Sequence, residues 1–169
     1  MTEETQAQRE RVHAAGVGGL EGKYLTFVLG EESYGLEILK VREIIGVMEI
    51  TSVPQSPVFI KGVINLRGKV IPVIDLRLKF GMEEVEPTEE TCIIVVDIQG
   101  SQMGILVDTV SEVLDIAAGQ IEPSPSFGSR VNTDFILGMG KSKGEVKILL
   151  AIERVLSPEE LLRLADMGD

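Results

Sequence analysis

The sequence of 169 residues has no tryptophan, one cysteine and one histidine, and aromatic residues make up only 4% of it. The single cysteine, Cys92, excludes a disulfide or a cysteine-based metal site within the chain. Cys92 lies in an apolar run, which predicts a buried and inert thiol. The only histidine, His13, lies in a polar N-terminal stretch, so a pair of catalytic histidines is excluded as well.

Basic residues are in deficit, since 16 lysines and arginines stand against 27 acidic residues and the net charge is -11. Such a charge repels phosphate backbones, which argues against nucleic acid as a partner. No apolar run approaches the ~18 residues that a membrane span needs, and the first residues contain no signal-peptide core. The sequence therefore predicts a cytoplasmic protein without direct membrane insertion.

Apolar residues nevertheless make up 44% of the chain. Because aromatic residues are few, the interior must be built mainly from valine, isoleucine and leucine, and this composition favours strands. A chain of this length forms one domain or two small ones and buries roughly 70% of its unfolded surface. The composition thus indicates a mainly β protein with a true core.

An internal repeat relates two halves of the chain. At an offset of 69 residues the matching pairs include Val41/Val110, Ile44/Val113 and Pro54/Pro123. Insertions then raise the offset to 76 at Phe59 and to 78 at Ile74, which is matched with Ile152. Each copy predicts about five short strands, so we expect two small β-barrels.

The acidic, proline-containing stretch 81–90 predicts a surface linker between the two copies. We therefore expect a disordered tail at 1–19, a first barrel at 20–85, a second barrel at 86–156 and a C-terminal helix at 157–169. A short helix at 75–80, which ends at a glycine, is expected between the lobes.

The start of the C-terminal helix has a clear signature. Ser157 is an N-cap residue, a proline occupies the first helical position, and Glu160 lies three residues after the cap. Helical spacing predicts that Leu161, Leu162 and Ala165 face the body of the protein.

Residues 59–77 contain two apolar runs around the polar tip Asn65-Leu66-Arg67-Gly68. This pattern predicts a β-hairpin that presents Arg67 at a turn. A cation without catalytic side chains around it favours recognition over chemistry, and a solvated arginine on an ordinary hairpin is the alternative. Five basic residues near this hairpin predict attraction of an acidic protein partner: Lys61, Arg67, Lys69, Arg77 and Lys79.

Signals for chemistry are weak. Asp97, Asp108 and Asp115 are scattered through the second copy, and we interpret them as turn or edge carboxylates. Gly140-Lys141-Ser142 imitates the end of a phosphate-binding loop, but Phe135 replaces the glycine that such a loop needs, and a strand follows instead of a helix. We therefore expect no catalytic site, no metal and no cofactor.

Four pieces of the sequence carry a family resemblance, namely residues 27–35, 38–44, 59–68 and 73–77. The Asn-Leu-Arg-Gly tip, followed by Pro-Val-Ile-Asp-Leu, resembles the CheW-type chemotaxis coupling proteins. The resemblance extends from about Lys23 to the end of the chain and implies two SH3-like five-stranded barrels packed together as one CheW-like domain, 20–169. It also implies a non-catalytic adaptor that bridges chemoreceptors and the histidine kinase CheA.

In that family the helical hairpin of the receptor docks in an apolar groove between the barrels. The residues at matching positions are Val41, Glu43, Gly62, Arg67 and Val113. The two valines are expected to supply apolar contact, Gly62 a close backbone approach, and Glu43 and Arg67 the register. A mutual pairing of Glu43 and Arg67 that only supports the fold is the alternative.

The resemblance further implies contact with the regulatory domain of the kinase through the barrel ends. Glu122 and Phe127, in a loop rich in proline and serine, are the candidates for this contact, and Phe127 folded back onto its own barrel is the alternative. Because the second copy lacks the Asn-Leu-Arg-Gly tip, the role of Arg67 is not extended to Lys143.

The expected partners are thus the cytoplasmic tip of a chemoreceptor and the regulatory domain of CheA, which would recruit the protein to membrane-associated receptor arrays. A small-molecule carrier or an enzyme with a pocket between the barrels is the alternative function.

Overall fold

The computed structural model describes residues 19–124 and 134–167, and within them the protein is mainly β. The strands in chain order are β1 (Gly22–Leu29), β2 (Glu32–Glu37), β3 (Val41–Gly46), β4 (Ile60–Leu66), β5 (Lys69–Asp75), β6 (Cys92–Ile98), β7 (Ser101–Val107), β8 (Thr109–Ile116), β9 (Ile121–Glu122), β10 (Ile136–Ser142) and β11 (Glu145–Leu150). The helices are α1 (Leu76–Lys79), α2 (Ile152–Val155) and α3 (Pro158–Met167).

The strands form two sheets, as expected for a pair of SH3-like barrels. Sheet A has the order β8-β1-β2-β11-β10-β9, and sheet B has the order β3-β6-β7-β5-β4. Two 3-10 turns, Ile38–Lys40 and Ala118–Gln120, lead out of β2 and into β9. No helix in the described part of the chain is long and apolar enough to cross a membrane.

The two copies of the repeat exchange strands. The first copy consists of β1 to β5, whereas the second contains β6, β7, β8, β10 and β11. Sheet A combines β1 and β2 with four strands of the second half, and sheet B combines β6 and β7 with three strands of the first. Both sheets contain strands from before and after residue 85, so hydrogen bonds cross the expected boundary between the two barrels. A division of the chain into domains at this residue remains a prediction.

Equivalent strands pair in equivalent ways. Val41 lies opposite Val96 where β3 meets β6, and its counterpart Val110 lies opposite Phe27 where β8 meets β1. Since Val96 and Phe27 are themselves related by the offset of 69 residues, the pairing repeats around an internal two-fold. The duplication predicted from the sequence is therefore a property of the fold.

The expected offset of 78 residues at Ile74 is wrong. Ile74 lies beside Ile105, where β5 runs parallel to β7, and Leu150 lies beside Leu36, where β11 runs parallel to β2. Because Ile105 and Leu36 are equivalent, Ile74 corresponds to Leu150, and the offset stays at 76. Alternative registers of Val/Ile-rich strands look alike in sequence, which explains the error.

The hairpin predicted around Arg67 is present. β4 and β5 are joined by Arg67 and Gly68, whose φ angles are 52° and 88°. Two consecutive positive φ angles are typical of a type I′ turn, which matches the twist of a hairpin. The Gly68 backbone N–H donates to the Asn65 side-chain oxygen at 2.8 Å. Lys143 at the equivalent turn between β10 and β11 also has a positive φ, 54°.

Among the described residues, three apolar clusters stabilise the sheets. The central cluster contains side chains from both sheets, including Phe27 and Ile94. A second cluster belongs to sheet B and includes Ile93, and a third belongs to sheet A and includes Tyr24. Alternate residues of β6 therefore enter different clusters, which explains its unbroken apolar sequence. Cys92, at the start of this strand, is half-buried instead of fully buried.

Gly62 lies at a β-bulge in β4 with a φ of 144°. A Cβ atom at this position would lie 2.0 Å from the backbone oxygen of Thr51. Thr51 exchanges two backbone hydrogen bonds of 2.8 Å with Val63, which attach the preceding loop to β4. A close backbone approach at Gly62 is therefore made within the chain by Thr51, and an approach of the receptor to Gly62 remains a prediction.

An ion pair between Arg77 and Asp108 joins the two copies. Arg77 Nε and Nη2 donate to the Asp108 carboxylate at 2.7 and 2.6 Å, and the Gly30 backbone N–H donates to it at 2.8 Å. The two side chains are only 15% and 23% exposed. Hydrogen bonds from Arg77 hold the pKa of the Asp108 carboxyl below its ordinary value. Asp108 is thus a turn carboxylate with a structural role.

The predicted start of α3 is confirmed. The Glu160 backbone N–H donates to Ser157 Oγ at 3.1 Å, and the Ser157 N–H donates to the Glu160 carboxylate at 2.7 Å, which completes a capping box. Lys79 Nζ donates to the same carboxylate at 2.9 Å and lies 4.5 Å from the centre of the Phe59 ring. These contacts attach α3 to the end of α1.

The face that α3 buries differs in part from the expected one. Leu164 is 5% exposed and Leu161 is partly buried against the central cluster. Leu162 is 68% exposed, so its predicted inward orientation is wrong. It follows Leu161 by about 100° around the helix, and this rotation turns it away from the face that Leu161 and Leu164 share. The side chain of Ala165 lies outside the described residues.

The approach of Gly62 to Thr51 predicts a large effect of substitution. Gly62→Ala is expected to lower the free energy of unfolding by at least about 2 kcal/mol, because the new methyl group overlaps a backbone oxygen. Gly68→Ala is the matched control, since Gly68 also has a positive φ but no atom within 4 Å of its Cβ position, and should cost about 1 kcal/mol. Urea denaturation compares the two. Equal losses would show that the Thr51 contact is not the reason for the glycine.

The Arg77–Asp108 pair predicts a pH-dependent contribution to stability. Arg77→Met keeps the apolar stem and is expected to lower the free energy of unfolding by about 2 kcal/mol at pH 7. Because the pKa of Asp108 is lowered in the folded state, this contribution is present above the unfolded-state value of about 3.9 and is lost as the pH falls through the folded-state value.

Urea denaturation of wild type and Arg77→Met at several pH values measures this contribution. The difference between them should shrink below about pH 4. Lys23→Met removes an exposed ion pair with Asp115, 3.5 Å long, and serves as the control that should change little. A difference between wild type and Arg77→Met that is independent of pH would contradict the role of the ion pair.

Candidate functional site

Arg67, at the turn of the β4–β5 hairpin, contacts Glu43 on β3. Arg67 Nη1 donates to Glu43 Oε1 at 3.1 Å, and Nη2 donates to Oε2. The Arg67 side chain is 68% exposed and that of Glu43 is 33% exposed. Hydrogen bonds from Arg67 lower the pKa of the Glu43 carboxyl, and the same bonds raise the pKa of Arg67. The mutual pairing that the sequence left open is therefore present.

This ion pair joins the two edges of sheet B. β3 is one outermost strand of the sheet, and β4, whose turn carries Arg67, is the other. Contact between outermost strands is what turns an open sheet into a barrel. The Glu43–Arg67 pair thus has a structural role in closing sheet B.

The second copy contains an equivalent ion pair. Lys143, at the turn of the β10–β11 hairpin, lies 3.7 Å from Glu112 on β8. The repeat places Glu112 and Lys143 at the positions of Glu43 and Arg67. An ammonium group is a point charge, whereas the guanidinium group of Arg67 makes two parallel hydrogen bonds. The copies therefore share a cation at this turn, and a role of Arg67 beyond the ion pair remains a prediction.

The other predicted receptor contacts lie at separate places. Val41 is in the same strand as Glu43 and is half-buried against the central cluster. Val113 is 48% exposed on β8, the edge strand of sheet A. Gly62 is buried, with the Thr51 backbone over it. The structure brings Glu43 and Arg67 into contact, and Gly62 lies beneath the surface.

The sequence prediction leaves out two apolar residues at equivalent positions. Ile44, the counterpart of Val113, is 43% exposed on β3. Val110, the counterpart of Val41, is half-buried against the central cluster. The offset of 69 residues matches both pairs, so the repeat was the signal that identifies them.

The predicted basic cluster is largely neutralised by nearby carboxylates. Besides Arg67 and Arg77, Lys61 Nζ lies 3.0 Å from a Glu84 carboxylate oxygen and Lys79 Nζ lies 2.9 Å from one of Glu160. Four of the five basic residues, Lys61, Arg67, Arg77 and Lys79, are thus in ion pairs. Paired charges attract a distant partner less strongly, which weakens the expectation of electrostatic steering.

Of the two candidate kinase contacts, Glu122 ends β9 and is exposed at the surface. Its carboxylate accepts a hydrogen bond of 2.6 Å from Lys141 Nζ. Phe127 lies outside the described residues.

Lys141 belongs to β10 and forms an ion pair with Glu122, which agrees with the rejection of a phosphate-binding loop.

A large open cleft in the described part of the chain lies away from the predicted receptor contacts. Its lining includes Val70 of β5, Met103 of β7 and Leu162 of α3, and none of the five predicted contact residues lines it. Among the described residues, no group of three or more His, Cys, Asp or Glu side chains is placed to hold a metal ion.

Comparison with known proteins identifies similar chains. Residues 23–160 match the CheW-like domain family. The chemotaxis protein CheW of Klebsiella aerogenes is 45% identical over 139 residues, which are 82% of this chain and 84% of that protein. The chemotaxis protein CheW of Rhizobium meliloti is 35% identical over 143 residues, 85% of this chain and 91% of that protein.

A solved structure agrees with these matches. The scaffolding protein TtCheW from Thermoanaerobacter tengcongensis has a TM-score of 0.76 and 38% sequence identity, and the match covers 83% of this chain and 95% of that chain. The likenesses support an adaptor of chemotaxis signalling. They give no support to a small-molecule carrier or an enzyme.

The effect of Arg67 on Glu43 is open to direct measurement. Arg67→Ala is expected to return the pKa of Glu43 to the ordinary value of a glutamate, because hydrogen bonds from Arg67 are the largest cause of the lowering. An NMR titration of the side-chain carboxyl groups measures this change. Glu145 is the internal control, because its pKa is lowered by a hydrogen bond from Lys147 and should not change in Arg67→Ala. If the pKa of Glu43 is also unchanged in Arg67→Ala, the ion pair is absent in solution.

Proposed function

Because this chain belongs to the CheW-like domain family, it is a non-catalytic adaptor of chemotaxis signalling, and we propose that it joins the cytoplasmic tip of a chemoreceptor to the regulatory domain of the histidine kinase CheA. The observation that carries the proposal is the fold match to a scaffolding protein over 83% of the chain. An adaptor needs two binding faces and no reactive groups, which agrees with the absence of catalytic signals in the sequence.

The proposed receptor face consists of Val41, Glu43, Arg67 and Val113, with Gly62 beneath it. Val41 and Val113 would supply apolar contact with an amphipathic helix of the receptor. The guanidinium group has five N–H donors, and its hydrogen bonds to Glu43 use two of them. Arg67 therefore supports the barrel and still has donors for a partner, so the two roles do not compete.

Gly62 contributes to this face indirectly. Its contact with Thr51 fixes the loop before β4, and β4 leads directly into the turn that carries Arg67. A shift in β4 would move that turn relative to Glu43. We therefore assign Gly62 a positioning role in place of direct contact with the receptor.

The proposed kinase face includes Glu122 and Phe127. Glu122 is exposed at the end of a two-residue edge strand, where a partner domain can approach. Recruitment to membrane-associated receptor arrays would follow from these two contacts. Each contact can be weak, because many couplers in one array raise the effective concentration of their partners.

Substitution of Arg67 tests the separation of the two faces. Arg67→Ala is expected to weaken binding to a soluble receptor-tip fragment by roughly tenfold or more, because truncation of an arginine anchor commonly has this effect. Binding to the isolated regulatory domain of CheA should stay within about twofold. Isothermal titration calorimetry with each partner measures both affinities.

Lys143→Ala is the matched control for this experiment, because it removes the equivalent ion pair of the second copy. It should leave receptor binding nearly unchanged. Equal losses at both partners in Arg67→Ala, together with a lower melting temperature, would make Arg67 a structural residue only. A wild-type protein that binds neither partner would contradict the proposed function itself.

A further inference from the structure

In the part of the chain that the structure describes, the backbone passes from one sheet to the other twice. After β2 in sheet A it runs through Ile38–Lys40 to β3 in sheet B, and after β7 in sheet B it runs through Asp108 to β8 in sheet A. We refer to Ile38–Lys40 as the first crossover and to Asp108 as the second crossover. The offset of 69 residues matches Leu39 with Asp108, so the two crossovers are equivalent positions of the repeat.

The second crossover is fastened to both sheets. The Asp108 carboxylate accepts hydrogen bonds from Arg77, on the helix that follows β5, and from the Gly30 backbone N–H, in the turn between β1 and β2. The Asp108 backbone N–H also donates to the Val28 carbonyl of β1 at 3.2 Å. The space beside Arg77 and Asp108 is about 20 Å³, which is room for about one water molecule. A relative movement of the sheets at this crossover would therefore break several hydrogen bonds.

The first crossover has no fastening of this kind among the described residues. The offset of 76 residues matches α1 with α2 and Arg77 with Glu153. The counterpart of the acidic Asp108 is Leu39, which is 94% exposed and cannot form an ion pair. Glu153 Oε2 is buried without a hydrogen-bond partner, and Lys40 Nζ lies 3.9 Å from it. The hydrogen-bonded ion pair of the second crossover is thus missing at the first.

Open space lies on the side of the first crossover. Glu153 and Gln99 line the large open cleft, whose volume is about 1350 Å³ in the described part of the chain. The helix α3 borders the same cleft and is attached to α1 through Lys79 and Glu160, so it limits how far the cleft can open. The sheets therefore have room to move on this side, whereas the side of the second crossover is filled.

We propose that the first crossover is a hinge between the two sheets, and that the Arg77–Asp108 fastening is the pivot about which sheets A and B turn. A hinge is a short connecting segment that absorbs a change in backbone angles while the bodies on either side keep their internal hydrogen bonds. The first crossover meets this description, because the hydrogen bond from the Val41 N–H to the Ile38 carbonyl closes within its own turn. The hinge is a property of the fold and goes beyond the joining of two partners.

Leu39→Arg is designed to add the missing fastening. The repeat places residue 39 where Asp108 contacts Arg77, so a long basic side chain at this position can reach Glu153. Because Leu39 is almost fully exposed, the substitution removes no core contact. The variant should therefore fold as the wild type does and lock the hinge.

The charges around the first crossover favour an added guanidinium group. Burial raises the pKa of Glu37, Lys40 lowers it, and the charge of Glu153 raises it further. Two carboxylates thus share one cation at this place, and a second cation would be attracted to them.

Amide hydrogen exchange of the unlabelled protein gives the first measurement. In the wild type, the Val41 N–H should exchange at least roughly tenfold faster than the Asp108 N–H, because the weaker crossover opens more often. Leu39→Arg should slow exchange at Val41 roughly tenfold, as one charge-assisted hydrogen-bonded pair does. Leu39→Gln is the matched control, because a neutral amide forms no ion pair and should leave the rate unchanged. The double variant Leu39→Arg, Glu153→Gln should lose the slowing.

Spin labels on the two sheets give the second measurement. Lys69→Cys labels β5 of sheet B and Val146→Cys labels β11 of sheet A at exposed positions, in a Cys92→Ser background. Double electron–electron resonance then measures the distribution of distances between the labels. Leu39→Arg should narrow this distribution, whereas Leu39→Gln should not.

Two results would overturn the hinge. One is equal exchange at Val41 and Asp108 in the wild type, and the other is a distance distribution that Leu39→Arg narrows no more than Leu39→Gln does. The exchange measurement needs no label, so it remains decisive if a labelled variant is unstable. Neither measurement uses a receptor or a kinase, so failure of the hinge and failure of the proposed function are separate outcomes.

Discussion

Hydrogen bonding between the two copies of the repeat is the constraint on which the rest of the structure depends. Sheet B exists only because β6 and β7 lie between β3 and β5, and sheet A exists only because β1 and β2 lie between β8 and β11. Several other features depend on this exchange. The central cluster draws on both sheets, the Arg77–Asp108 pair bridges both copies, and the Glu43–Arg67 ion pair joins the outer strands of sheet B.

Much of the local structure was predictable because short-range chemistry determines it. The β4–β5 hairpin follows from its polar tip between two apolar runs, and the capping box of α3 follows from Ser157 and Glu160. The exchange of strands was not predictable from the repeat, since an alignment shows that β1 resembles β6 without showing which neighbours either one has. The predicted alignment of β11 with β5 was wrong for a related reason, because alternating Val/Ile strands fit at more than one offset. The predicted inward orientation of Leu162 was wrong because apolar character does not by itself determine which helix face is buried.

The candidate site also combines features that the sequence predicts with features that only the structure shows. The family resemblance selects Glu43, Arg67, Val41 and Val113, and the structure adds the physical relations among them. Arg67 and Glu43 form one unit, Val110 packs against the central cluster as Val41 does, and Ile44 is exposed as Val113 is. The contact of Gly62 with Thr51 could not be predicted, because nothing in a sequence shows that the backbone of Thr51 lies where a side chain of residue 62 would be. Contacts between segments distant in the chain are the part that sequence patterns leave undetermined.

The strand exchange also bears on how two structurally equivalent halves come to differ at their surfaces. Two half-length chains that exchanged their first hairpins would form the same pair of sheets as a symmetric homodimer. Both halves of such a dimer would carry one sequence, and any change that improved one face would appear on the other. In a single chain, the equivalent turns carry arginine in one copy and lysine in the other, and Arg42 in the first copy corresponds to Ser111 in the second. Covalent linkage of the halves thus permits a symmetric scaffold to acquire unlike faces.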